Sequence, residues 1–149
     1  MAGHRGAYDD PMDRRELQCL SRLRAKDAQC LLNAGHAQGA YYLMGYSVEC
    51  ALKAVIAAHQ RPHVFPDKAF AFACHTHDLR HLLVLAGLRK RAEAAILESQ
   101  AFELNWNTVR EWSESRRYDV DVSIRMARTL IAACVQRPRG VLPWIQTFW

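Results

Sequence analysis

The chain has 149 residues, half of them apolar and 23% charged, as in an ordinary globular protein able to bury one sizeable core. No apolar run approaches 18 uninterrupted residues and no basic-then-apolar leader opens the sequence, so we expect a cytoplasmic protein without membrane contact. Twenty basic residues against fifteen acidic ones give a formal charge of +5, and sixteen of the twenty are arginines. The planar guanidinium fork suits phosphate, which makes nucleic acid a candidate partner; the alternative is a solvated basic exterior, because the arginines are spread along the chain.

Residues 1–10 are polar and expected to fray, with Asp10 as N-cap and Pro11 as the first residue of helix one, running to about Ala34 and stopped by Gly35. Leu17, Leu20, Cys30 and Leu31 are among its apolar positions. Helix two spans about His36 to Gln60, ahead of Arg61-Pro62. At about 100° per residue, Tyr41, Met44, Val48, Ala51, Leu52 and Val55 cluster on one side, and Tyr42, Tyr46, Glu49 and Lys53 on the other. A helix apolar over most of its circumference is central in its fold. Gly39 and Gly45 inside it imply close approach of another group, since each costs about 1 kcal/mol against Ala.

A loop from Arg61 to about Thr76 follows, with Phe65, Phe70 and Phe72 expected to pack onto the body. Thr76 or His77 opens a short helix to Ala86, closed by Gly87, and another covers about Lys90 to Leu104. Trp106 to Tyr118 reads as a short helix plus turn. The last long helix runs from about Asp121 to Gln136, with Val120, Ile124, Ala127, Ile131 and Cys134 as its apolar stripe and Arg125 and Arg128 on its polar side. Arg137-Pro-Arg-Gly140 breaks it, and the tail 137–149, carrying Trp144, Phe148 and Trp149, packs on the bundle or in a dimer interface. No β-alternation, repeat or low-complexity segment is present. The pattern predicts an all-α, up-down bundle of four to five main helices plus a short C-terminal segment.

Three groups of residues could carry chemistry. Glu49 and Lys53 stand at the helix-pair spacing; exposed, they are worth about 0.2–0.5 kcal/mol, and buried they demand partners such as the hydroxyls of Tyr42 and Tyr46. Cys74-His-Thr-His-Asp-Leu-Arg-His81 is dense in metal-capable groups, but only His77 and His81 share a helical face and H-E-x-x-H is absent. A helix start with Thr76 as cap is favoured there over a metal site. Trp112 with Arg116-Arg117-Tyr118 suits a phosphate or a base; alternatively Trp112 and Tyr118 anchor the core while the arginines pair with Glu111, Glu114 or Asp119. Cys19, Cys30, Cys50, Cys74 and Cys134 are odd in number and lack C-x-x-C spacing, so reduced, mostly buried thiols are expected. No phosphate-loop, dinucleotide or hydrolase signature is present, and no cofactor or metal is expected.

Taken together, Ala40-Tyr-Tyr-Leu-Met-Gly-Tyr-Ser-Val-Glu-Cys-Ala-Leu-Lys-Ala54, His77-Asp-Leu-Arg-His-Leu-Leu83 and Trp112 with Arg117-Tyr118 resemble the HEPN (higher eukaryotes and prokaryotes nucleotide-binding) family, the likeness covering about residues 13–136 of a bundle expected over 11–136. The resemblance implies a helical bundle, commonly a homodimer. Many members are metal-independent ribonucleases in toxin–antitoxin or defence systems, and others pair with a minimal nucleotidyltransferase or bind nucleotides. Active members carry an Arg, four to six residues, then a His. Here no His follows His81, and no Arg precedes a His at that spacing. The resemblance therefore implies a non-catalytic protein binding nucleotide, RNA or a partner through Arg116, Arg117, Tyr118, Glu49, Lys53 and Tyr46. Its rivals are a ribonuclease using His77 or His81 with Arg117, and a purely structural dimerisation module.

Overall fold

The computed structural model describes residues 12–65 and 67–149, and these form an all-α bundle. In chain order its elements are α1 (Arg14–Asn33), α2 (Ala37–Ala58), α3 (Lys68–Ala73), α4 (Leu79–Leu85), α5 (Arg89–Glu98), α6 (Gln100–Val109), a 3-10 turn (Glu114–Tyr118), α7 (Ile124–Val135) and α8 (Val141–Gln146). Five are ten residues or longer, with α3, α4 and α8 as short connecting or capping pieces. No helix among the described residues is long and apolar enough to cross a membrane.

Helix α2 is the axis of the bundle. It packs against α1, α4, α7, α8 and the 3-10 turn, and all six residues of its predicted apolar side are buried. Helices α1 and α2 are stapled by a reciprocal pair: Ser21 Oγ donates to the Ser47 carbonyl at 2.8 Å, and Ser47 Oγ donates to the Ser21 carbonyl at 2.6 Å. Each hydroxyl thereby satisfies a backbone carbonyl of the facing helix, so two polar residues sit buried without an orphan donor. Gly45 accounts for a second close approach. A Cβ there would fall within the indole ring of Trp112, which lies flat over this turn of α2. Gly39 has a milder role, with Leu31 Cδ1 3.1 Å from where its Cβ would stand.

Several boundaries differ from expectation. Asp10 and Pro11 lie outside the described residues; α1 starts at Arg14, capped by Asp13 in a reciprocal box with Glu16, which offers two satisfied donors where a lone Asp offers one. The loop after α2 contains α3, capped by Asp67. Of its phenylalanines only Phe70 packs on the core: Phe72, two residues on in α3, faces away and is 82% exposed, because six residues of helix can turn only one stripe inward, and Phe65, in the loop before α3, is 94% exposed. Asp78, not Thr76, caps α4: its Oδ1 accepts from the Arg80 and His81 amides, and Thr76 Oγ1 supports it by accepting from the Asp78 amide. The single helix expected over 90–104 is two, broken at Ser99, whose extended backbone and Oγ start α6.

Helix α7 starts at Ile124 under a Ser123 cap, which leaves Val120 outside the helix and 87% exposed. Ala127, Ile131 and Cys134 are buried as expected. The tail packs back on the bundle: Val141, Leu142 and Ile145 are buried, and Trp149 Nε1 donates to the Ala51 carbonyl at 3.2 Å. Only Cys50 and Cys134 are buried; Cys19 and Cys30 are exposed, because they point off the α1 face that meets α2.

Candidate functional site

The Tyr42–Tyr46–Glu49–Lys53 side of α2 is covered by the start of α4 and by the segment 112–118. Trp112 seats on Gly45 and stacks on Tyr42 at 6.1 Å between ring centroids, and Tyr42 stacks on Tyr46 at 6.3 Å. This aromatic ladder carries the 3-10 turn across α2. Gln38 Nε2 fixes the turn from the other end by donating to the carbonyls of Arg116 and Arg117, at 3.0 and 2.8 Å.

A chain of alternating charges runs over this platform. Glu49 is buried, with 2% exposure, and its Oε1 accepts from Lys53 Nζ at 2.8 Å. The same oxygen lies 2.9 Å from His77 Nδ1. His77 Nε2 is 2.8 Å from Glu114 Oε2, and Arg117 Nη1 donates to Glu114 Oε1 at 3.0 Å. Arg117 ends the chain over the Tyr118 ring, 4.7 Å from its centroid. Both ring nitrogens of His77 therefore lie within hydrogen-bond distance of a carboxylate oxygen, one from α2 and one from the 3-10 turn. The partner that Glu49 needs when buried is thus His77, not a tyrosine hydroxyl. Two buried polar atoms on this side, Glu49 Oε2 and Trp112 Nε1, have no hydrogen-bond partner among the described residues.

Sequence reasoning brought Glu49, Lys53, His77, Arg117 and Tyr118 to notice, and the fold joins all five. Arg116 turns away and pairs with Asp119 at 2.7 Å, and that hydrogen bond raises its pKa. His81 is exposed and separate from the chain of charges. Tyr46 belongs to the aromatic ladder, and burial raises the pKa of its hydroxyl. Tyr118 is 75% exposed and does not anchor the core, since it faces outward from a turn of only five residues. Glu114, the bridge between histidine and arginine, reads from the sequence only as a salt-bridge partner for the Arg pair. No group of three or more metal-capable side chains converges among the described residues.

Beside the network opens a cleft of about 430 Å³ lined by His77, Asp78, Arg80, Arg110 and residues 111–115. Arg80 donates to Glu111 at 2.7 Å, and Arg110 leans on the same carboxylate at 3.9 Å. Both pairs are exposed, so they are weak and exchangeable.

The fold and site define a helical bundle in which His77 bridges the buried Glu49 and the part-exposed Glu114 beside an arginine-bearing cleft. No family model, curated protein or solved structure matches the chain.

Proposed function

We propose that this chain is a HEPN-like protein that binds a phosphate-bearing nucleotide in the Arg80–Arg110 cleft without cleaving phosphodiester bonds. One observation carries the reading: both ring nitrogens of His77 are spent on Glu49 and Glu114. A general acid or base needs a nitrogen within reach of the reacting atom, and this one has none free. Arg80 and Arg110, by contrast, rest on one exposed carboxylate that a phosphate can replace, with charge-assisted hydrogen bonds of greater strength. The cleft lies within the ordinary range for small-molecule sites. Homodimerisation through exposed apolar residues such as Phe72, and pairing with a minimal nucleotidyltransferase in a toxin–antitoxin or defence system, complete the proposal.

The ribonuclease alternative gains one observation, that His77 and Arg117 share Glu114. Two measurements decide. Titration with a fluorescent ATP analogue is expected to saturate, and Arg80→Ala with Arg110→Ala is expected to weaken it about tenfold or more. RNA incubated with and without EDTA is expected to stay intact. Cleavage lost in His77→Ala or Arg117→Ala establishes the ribonuclease instead, and absence of all binding leaves the dimerisation module, checked by sedimentation.

A further inference from the structure

The positive charge of this chain is unevenly placed. Around the cleft, cations are paired: Lys53 with Glu49, Arg80 with Glu111, Arg116 with Asp119, Arg117 with Glu114. On the opposite side of α2 they are not. There, a hollow of about 220 Å³ lies between α1, α7 and α8, lined by Arg22, Lys26 and Arg137, with the stapled Ser21 and Ser47 in its wall. A second hollow of about 350 Å³ adjoins it, sharing Arg137 and Pro143 and adding Arg139 and Trp144. No Asp or Glu lines either hollow. Arg22, Lys26, Arg137 and Arg139 have no carboxylate at ion-pair distance among the described residues.

Arg22 and Lys26 stand one turn apart on α1 and so project from one face. Aromatic rings border these cations. Arg22 sits over Trp149 at 4.8 Å, Trp144 packs against Phe148 at 5.2 Å, and Arg91 covers Phe148 at 5.2 Å. Trp144, Phe148 and Trp149 all retain partial exposure. Unpaired basic side chains in two adjoining hollows, bordered by partly exposed rings, fit a polyanion that also offers flat faces to stack. A phosphodiester backbone with unpaired bases has both properties. An acidic peptide would use the charges and leave the rings idle.

We propose that the two hollows meeting at Arg137 and Pro143, one against α1 and the end of α7 and the other against α5 and α6, together bind single-stranded nucleic acid, with Arg22, Lys26, Arg137 and Arg139 on the phosphates and Trp144 available to a base. This site is separate from the Arg80–Arg110 cleft and does not depend on the nucleotide reading of it. Ser47, in its wall, stands two residues before Glu49 on α2 and therefore projects about 200° away around the helix.

The test is fluorescence anisotropy of the full chain with a fluorescein-labelled oligouridylate of about 12 nucleotides, from roughly 50 to 200 mM salt. Binding is expected to weaken with salt at a log–log slope near −3, about −0.7 for each of four phosphates. Arg22→Gln with Arg137→Gln and Arg139→Gln is expected to weaken binding about tenfold or more and to lower the slope by about 2. The expected helical circular dichroism of that variant is that of the parent, since none of the three side chains is in an ion pair. Arg80→Ala with Arg110→Ala is expected to leave oligouridylate binding unchanged. No binding at 50 mM salt, or unchanged binding by the triple variant, overturns the proposal. So does equal or tighter capture of a poly-glutamate peptide or of phosphatidylserine vesicles. Loss of oligouridylate binding in the Arg80/Arg110 variant alone assigns the RNA to the cleft and overturns the proposal, while failure of the ATP analogue alone leaves it standing.

Discussion

Gly45 and Trp112 are a matched pair, and their dependence has a sign that can be reversed. Ala is normally about 1 kcal/mol better than Gly inside a helix. At position 45 the added methyl would occupy the space of the Trp112 indole, so that preference is outweighed. Gly45→Ala is expected to destabilise the chain by about 1–3 kcal/mol, the usual cost of overpacking, measured by urea unfolding. In a Trp112→Ala background the same substitution is expected to be neutral or stabilising. Equal losses in both backgrounds would separate the two residues. Glu49 is the other residue on which this side depends. Glu49→Gln leaves Lys53 and His77 without their charged partner, at a cost expected near 2 kcal/mol. That lies below the range for fully buried pairs, because Lys53 and His77 keep 22% and 45% side-chain exposure. Sequence spacing disclosed Glu49 with Lys53, since both stand on one helix. It could not disclose His77, 28 residues further on, because their contact depends on how the start of α4 crosses α2.

At the scale of elements, local chemistry decides where helices begin, and apolar periodicity is a poorer guide. The apolar pattern runs on through Ser99, so periodicity reads one helix where the side chain of Ser99 starts a second. Likewise, Asp78 and Thr76 both have oxygens suited to capping, and the structure uses them in series. The cap on α4 also matters for the site, since His77 immediately precedes it. Asp78→Ala is expected to cost about 1 kcal/mol, and Asp78→Asn considerably less, because Asn caps almost as well. Chemical denaturation of both variants checks the order; equal losses would show that the negative charge near the helix start matters more than the hydrogen bonds. What the sequence did disclose at this scale was the inward face of α2, all six residues of it, because a long, strongly apolar helix has one way to satisfy its surface. The tail and the loop after α2 were harder, as short elements bury whichever stripe their neighbours leave open. Phe70 went in, and Phe65 and Phe72 stayed out.

For the molecule as a whole, the buried ionisable groups set a limit on the alkaline side. Burial raises the Cys50 thiol from 9.0 to about 12, and the thiol of Cys134 is also raised by burial. The hydroxyls of Tyr41 and Tyr46 are raised from 10.0, again chiefly by burial. All four groups are neutral when protonated, so the folded state holds their protons more tightly than the unfolded chain does. Above pH 9 the unfolded chain loses those protons first, it binds fewer of them, and stability must fall as pH rises. The slope is on the order of 1 kcal/mol per pH unit for each group between its unfolded and folded values. Urea midpoints are therefore expected to hold steady up to about pH 9 and then to drop, with Cys50→Ala flattening the fall. Thiol labelling reads the same burial by another route. Cys19 and Cys30 should react in the native protein at pH 8, while Cys50 and Cys134 should react only on unfolding. If Cys50 reacts as fast as Cys19 under native conditions, α2 is not the closed axis of the bundle, and the alkaline fall must then have another source.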